Sequence, residues 1–475
     1  MAKNLIIYYS RKGENYFGGS IRSIAKGNTQ LILHGSLLRA MLSIAVPVVI
    51  NSFLQTLYNL TDTYWLGQLG TAELAAINLV SPVQSIVISF GGGVTVAGAV
   101  MIAQYIGAGK PDAAKRIANH IFTVAMLFSV FCAALLAILT PPIVAWLGAT
   151  GETYANAVTY LRLVILDMPF LFMVNMYQAI RQAQGDTLRP MLLNLLGISF
   201  NLILDPLLMV TLRMGAAGAA LATVFAKAIP ALCALVILLR RKDEPVHLDR
   251  RLMKPDRASL SAIVRIGFPT AIGGSVMQLG FLLMSRNVMA YGDQAVAAYG
   301  IGNKVNGLIS LPSTGIGSAV STIVGQNMGA KQIDRARKGF LISMGCSVAF
   351  LFLGGRILSL PSVATAIVSI FSDDATVIAM AADFLATMAF WCFTNGVHDA
   401  TCGLFQGSGH TEVPMAVNMT RLWVLRFATL YVCETVLGLG VRSIWYSVVV
   451  SNGISAAALV VLYFTGLWKK SRVKI

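Results

Sequence analysis

The amino-acid sequence predicts an all-α polytopic membrane protein, with twelve transmembrane helices in two pseudo-symmetric six-helix bundles. Three observations predict it. Apolar stretches of about 20 residues or more, the length needed to cross a bilayer, recur along the whole 475-residue chain. Hydrophobic residues make up 56% and charged residues 12%, with a mean hydropathy of +0.72, whereas a soluble domain carries roughly twice that charge. The third observation is a unit written twice. A shift of 222 residues lays Pro47 on Pro269, Gly70 on Gly292, Gln104 on Gln326 and Gly107 on Gly329, and a shift of 224 lays Thr187, Pro190 and Asn194 on Thr411, Pro414 and Asn418. Repeated halves in an apolar chain point to a secondary transporter.

Residues 1–32 stand outside this pattern and read as an appendage. Lys3–Tyr9 has the apolar run of a short buried strand, followed by Ser10-Arg11-Lys12-Gly13-Glu14-Asn15 and a helix start at 27–29. This stretch resembles the first strand and phosphate-cradling loop of a flavodoxin. The other strands of a doubly wound sheet are missing, and one strand makes neither a core nor a flavin site. No FMN and no other cofactor is expected.

Six spans near 39–66, 76–106, 117–139, 154–180, 189–211 and 216–239 build an N-lobe over 33–239. The polar segment 240–258 links it to a C-lobe over 259–467, with spans near 260–290, 295–328, 339–360, 376–405, 413–437 and 441–466. A basic tail follows at 468–475. An even number of spans per half brings the second half into the membrane from the same side as the first. The bundles are then related by an axis along the membrane normal, with substrate expected between them.

The loops orient the bundle. Placing the N-terminus inside puts nearly all basic residues inside, with only Arg213, Arg356 and Arg442 in outer loops. The positive-inside rule then makes both termini cytoplasmic in a plasma-membrane protein. It also accounts for the net charge of +16 without nucleic acid, which would need basic residues gathered on one face with aromatic neighbours. A monomer is expected, with the bilayer and small drug-like molecules as its partners. The cysteines lie in apolar segments without metal-ligand spacing and read as small core residues.

An acid in hydrocarbon is a functional candidate because placing it there is costly. On the first span Asn51, Gln55, Asn59 and Asp62 recur at helical spacing, within an arc of roughly 80° at ~100° per residue. On the fifth, Asn194, Asn201 and Asp205 fall within roughly 40°. Two polar stripes ending in aspartates suggest one oxygen-rich pocket in the N-lobe, suited to Na⁺ at Asp62, Asn201 and Asp205 or to a proton. Pro47 frees the carbonyl of Ser43 and Pro206 that of Leu202, so both helices are expected to kink near their acids. The alternative is that the aspartates only fix packing. Against it, the repeat puts Met284 opposite Asp62 and Thr429 opposite Asp205, so symmetrical packing does not require them.

The stretches LQTLYNLTDTYWLGQLG before and including Gly70, AQYIGAG at 103–109, AIRQAQGDTLRPM at 179–191, NLILDP at 201–206, GAAGAALAT at 215–223, VGQNMGA at 324–330 and GLFQGSGHTEVPM at 403–415 resemble the multidrug and toxic compound extrusion (MATE) family, and its DinF-type branch in particular. The resemblance covers about 33–468. It implies antiport of drugs against a cation, with the cation site in the N-lobe. It carries that site onto Asp62, Asn175, Asn201, Asp205 and Thr223, with Pro47 as the bending proline. The family's other main bacterial branch keeps acids in the seventh and tenth spans. This chain has none in the seventh, and carries Asn395 at the matching place in the tenth with Asp399 a turn later.

Gln55, Asn59, Met173, Tyr177, Gln278, Asn395 and Asp399 are candidates to line the drug cavity, with ordinary packing as the alternative for Met173 and Tyr177. Arg162 and Asp167 lie too far apart in angle to pair within one helix, and Lys227 is placed to snorkel or to neutralise an acid. Arg421 and Arg426 are expected to line the cavity or to pair with Asp383, Asp399 or Glu434. A lipid-linked oligosaccharide flippase of the same superfamily is the alternative function. A membrane-embedded enzyme is more remote, since neither HExxH nor CxxC nor a Gly-rich phosphate loop in a strand–helix context occurs.

Overall fold

The computed structural model describes residues 28–67, 71–241 and 244–473. Most of the flavodoxin-like stretch lies outside the described residues. The described residues are mostly helical, with no strand among them. The first half comprises α1 (Leu37–Gly67), α2 (Thr71–Gly107), α3 (Pro111–Trp146), α4 (Gly151–Ala183), α5 (Leu188–Thr211) and α6 (Gly215–Arg240). The second comprises α7 (Arg257–Met289), α8 (Asp293–Gly329), α9 (Ile333–Leu358), α10 (Ala375–Trp391, continued after a 52° bend as Phe393–Gly407), α11 (412–436) and α12 (Arg442–Phe464).

Ten of these are single apolar helices of spanning length, and the bent α10 makes an eleventh. The twelfth is α11, which passes from α-helix into a π turn at Thr420–Leu425 and another at Val432–Val436. The sequence places α3 at 117–139, but the helix begins at Pro111 and continues through Pro141 and Pro142 to Trp146. Proline is favoured in a first turn, whose N–H groups have no helical partner, and Asp112 beside it answers the helix dipole. Hydropathy misses these ends because they project beyond the hydrocarbon.

A short helix at 28–34 precedes α1. Its Ile32 is 1% exposed, packed with Met41, Ala319, Ile323 and Phe340, and Arg335 donates to the carbonyls of Leu31, Ile32 and Gly35. Residues 28–32 therefore belong to the helical body and not to the appendage. The division at residue 32 is too late, because it was drawn by composition while the helix is fixed by contacts with a distant part of the chain.

The two halves meet through equivalent pairs, α2 against α7 and α8 against α1, with α2 and α8 touching between them. α2 crosses α7 at Gly93 and Gly267, so closely that a Cβ on either would strike the other's carbonyl. Gly315 of α8 meets the Ala45 carbonyl and Val49 of α1 in the repeat-related place.

At the face that carries both described chain ends, the repeat becomes a reciprocal seal. Gln104 donates to the Gly407 carbonyl at 2.8 Å and Gln326 donates to the Ala183 carbonyl at 2.7 Å. Gly107 lies against the backbone of Gln326 and Gly329 against that of Gln104, with no room for a Cβ at either. Thr187 donates to the Ile44 carbonyl at 2.9 Å and Thr411 to that of Ile266 at 2.6 Å. Linker and tail are fastened to the same face. Glu244 pairs with Arg181 and with Arg189, Asn119 joins the backbone of His247 and Asp249, and Ser471 donates to Gln104 at 2.5 Å. Val473 packs with Val246, Leu248 and Ile266.

Gly107→Ala and Gly329→Ala are each expected to destabilise this closed arrangement, by about 1–3 kcal/mol for forced overpacking. Gly345→Ala, with open space around its position, should raise stability slightly as an ordinary helix substitution. Thermal melting in nanodiscs checks this, and equal effects at all three positions would contradict the seal.

Candidate functional site in the N-lobe

The two stripes read from the sequence face one another. Asn194 of α5 donates to Asn51 of α1 at 3.0 Å, which ties the helices together above the seal. Farther along, Asn201 is 1% exposed and Asp205 is 0% exposed. They stand one turn apart on α5, with the Asn201 amide close enough to act on the Asp205 carboxylate but closing no hydrogen bond of ordinary geometry. Both polar atoms of Asn201 and both carboxylate oxygens of Asp205 are buried without a partner. In a packed interior such groups are normally satisfied, and four unpartnered atoms on two neighbouring side chains make this the candidate binding place.

Asp62 of α1 is half-buried beside this group, and the two carboxylates lie in each other's field. Neither has an ion-pair partner among the described residues. Asp167 of α4 is buried and pairs with Lys227 of α6, leaving its second oxygen without a partner. The charge of Lys227 also reaches Asp62. Thr223, one turn before Lys227, is buried and donates to the Ala219 carbonyl. One ammonium thus serves Asp167 and reaches Asp62, while among the described residues Asp205 has no cation acting on it.

The structure adds two tyrosines that the sequence reading did not single out. Tyr58 lies in the field of Asp62 and Asp205, and Tyr160 in that of Asp62, Asp167 and Asp205. The available signal was spacing: Tyr58 precedes Asp62 by four residues on one helix face, and Tyr160 precedes Asp167 by seven. Asn175, by contrast, is half-buried and makes no side-chain hydrogen bond among the described residues, so no hydrogen bond links it to the acids. Gln55 and Asn59 are exposed.

Both prolines have structural consequences. The carbonyls near Pro47 are taken up by Thr187, which reaches Ser43 O at 3.4 Å as well as Ile44 O at 2.9 Å. At Pro206 the chain passes directly from Asp205 into the π turn Pro206–Thr211. Broken helical ladders of this kind concentrate at functional sites.

The cavity-lining candidates divide. Tyr177 is 1% exposed within the hydrophobic core, under the Arg181 guanidinium at 5.2 Å, and Met173 packs against the same core. The packing alternative holds for Tyr177: its ring is enclosed by the apolar faces of α2, α3 and α6, which sequence periodicity does not distinguish from a cavity wall. Gln278 is exposed. Asn395 and Asp399 join polar chains inside the C-lobe, Asn395 with Ser310 and Asn452 at 3.4 Å each, and Asp399 with Ser313 at 2.6 Å and His398 at 3.1 Å. Arg162 is exposed, and the expected partners of Arg421 and Arg426 are engaged elsewhere, Asp383 by Arg442 and Glu434 by Tyr291.

Comparison with known proteins follows this architecture. The model of the MatE family matches residues 47–207 and matches again at 269–432, once in each half. The probable multidrug resistance protein YoeA of Bacillus subtilis is 25% identical over 446 residues, covering 92% of this chain and 96% of its own. The probable multidrug resistance protein NorM of Thermotoga maritima is 26% identical over 452 residues, covering 92% and 94%. Among solved structures, that of a MATE protein in complex with MaL6 superposes with a TM-score of 0.87 at 25% identity, over 92% of this chain and 98% of its own. One family model fitted twice, along both halves of a twelve-helix bundle, makes this chain a member of the MATE family, a membrane transporter of small molecules and not an enzyme.

Proposed function

We propose that the protein is a secondary multidrug efflux transporter, exporting organic and often cationic compounds by antiport against H⁺ or Na⁺. The observation that carries the reading is the uncompensated pair Asp62 and Asp205, with both oxygens of Asp205 buried and unpartnered. A proton or Na⁺ entering there supplies what the pocket lacks, and the donors are the hard oxygens that such ions take. Among the described residues no cluster of three or more His, Cys, Asp or Glu side chains is arranged to hold a metal ion, so an amide oxygen would complete a Na⁺ site. The names of the relatives as multidrug resistance proteins support drug-like cargo.

The mechanism follows from charge balance. With the pocket empty, the acids repel one another across α1 and α5, and a cation removes that repulsion. A ligand shifts a conformational equilibrium only through its differential affinity for the two states, and here the difference arises from how far α1 and α5 bring the acids together. The π turn after Asp205 lets α5 respond locally, since its ladder is already broken. In this account the sealed face is cytoplasmic, both termini lie on that side of the plasma membrane, and the lobes open outward in a protein that works as a monomer.

Asp62→Asn and Asp205→Asn are each expected to reduce gradient-driven export at least tenfold with normal membrane insertion, because removing a charge from the bilayer lowers insertion cost. Efflux of a fluorescent organic cation from proteoliposomes, under separate pH and Na⁺ gradients, measures this. Near wild-type efflux in either variant returns the acids to a packing role.

Lys227→Gln leaves Asp167 as a buried, unpaired carboxylate, and breaking such a pair typically costs about 3–5 kcal/mol. The double variant Lys227→Gln with Asp167→Asn should recover most of that loss. Melting temperatures of the single and double variants in detergent test the pair, and no recovery would mean that Lys227 acts through another group.

A further inference from the structure

The interior of the C-lobe holds positive charge with no counter-charge in contact. Arg426 is 4% exposed, and its contacts on α12 are neutral: Nε to Ser451 Oγ at 3.3 Å and Nη2 to Asn452 Oδ1 at 3.1 Å. Arg421 lies in the field of Asp399 and Cys402 of α10, with its Nε buried and lacking an acceptor. Among the described residues neither guanidinium has a carboxylate within 4.0 Å. The acids nearby make their hydrogen bonds and ion pairs to other groups, although Asp399 keeps Arg421 in its field. Asp383 holds Arg442 at 2.9 Å and 3.0 Å, Glu434 accepts from the Tyr291 hydroxyl at 2.8 Å, and Asp399 is taken by Ser313 and His398.

Local helix geometry brings the two arginines together. They are five residues apart, which on an α-helix separates them by about 140°. Arg421 lies within the π turn Thr420–Leu425 and Arg426 directly follows it, and a π turn closes after five residues. Both guanidiniums therefore project from one side of α11, and each lies in the other's field. Two like charges in a membrane interior, with Asp399 in the field of Arg421 and no carboxylate in contact with either, keep an excess of positive charge that an anion would balance. The repeat puts Gly197 opposite Arg421 and Leu202 opposite Arg426, so helix packing common to both lobes does not account for them. α5 carries an acid, and its counterpart α11 carries the bases.

We propose that Arg421 and Arg426 form a binding site in the C-lobe for an anionic group, a carboxylate or phosphate, carried by an amphiphile. Paired guanidiniums suit the bidentate geometry of both groups, while Ser451 and Asn452 border the site with neutral polar surface. The bearer of the group is either a lipid headgroup or the transported molecule itself. Only the second case rests on the export function proposed above, and it extends the cargo from cations to zwitterions and amphiphilic anions.

Binding of dodecyl phosphate and of dodecyltrimethylammonium, matched in chain and opposite in charge, tests the site by calorimetry on the full chain in phosphatidylcholine nanodiscs. The phosphate probe is expected to bind at least tenfold more tightly. Arg421→Gln and Arg426→Gln should each remove that preference while leaving binding of the cationic probe unchanged. Repeating the titration in nanodiscs containing phosphatidylglycerol distinguishes the two bearers: competition assigns the site to lipid headgroups, and undiminished affinity assigns it to cargo. Equal affinity for the two probes, or an unchanged preference in folded glutamine variants, would overturn the proposal. If neither variant folds, the wild-type preference between probes decides alone. No ion gradient enters this measurement, so its outcome and that of coupled export are separable.

Discussion

A bilayer offers no water to a polar atom enclosed within a helical bundle, so each such atom must find a partner in the chain or take one from solution. Much of this structure follows from that constraint. The amides of Gln104 and Gln326 are satisfied by backbone carbonyls of the opposite lobe, which turns two isolated polar residues into the seal at one face. One oxygen of Asp167 is taken up by Lys227. Among the buried polar atoms without a partner are those of Asp205 and Asn201 and the Nε of Arg421, and both functional proposals arise around those residues.

The lobes share a backbone plan and differ in charge. Equivalent threonines, glutamines and glycines do equivalent work in the two halves, as Thr187 and Thr411 do with the carbonyls of Ile44 and Ile266. The charges do not repeat. α5 ends its polar stripe in Asp205, whereas α11 presents Arg421 and Arg426, and both helices pass through a π turn close to those residues. Two equivalent helices have thus been given opposite charge at places where their ladders are already open.

Much of this was legible in the sequence. The twelve spans, the repeat and the facing stripes of α1 and α5 all depend on local hydropathy and on spacing within a helix, both of which a sequence displays directly. What escaped depends on contacts between distant segments. The sequence reading pairs Arg421 and Arg426 with Asp383, Asp399 or Glu434, but α12 brings Arg442 to Asp383, and the turn after α7 brings Tyr291 to Glu434. Ile32 looked like part of an appendage until Arg335, some 300 residues away, fixed the backbone around it. The π turns of α11 were invisible for a related reason: they preserve hydropathy while changing which residues share a face.

The central claim is that the N-lobe acids exchange a bound cation for cargo. Substrate titrated into purified protein in weakly buffered solution, followed with a pH indicator and a Na⁺-selective electrode, measures the exchange directly. The account predicts release of one of the two ions as cargo binds, and loss of that release when Asp205 is replaced by asparagine. Cargo binding that releases neither ion, or equal release from the Asp205→Asn protein, would contradict it.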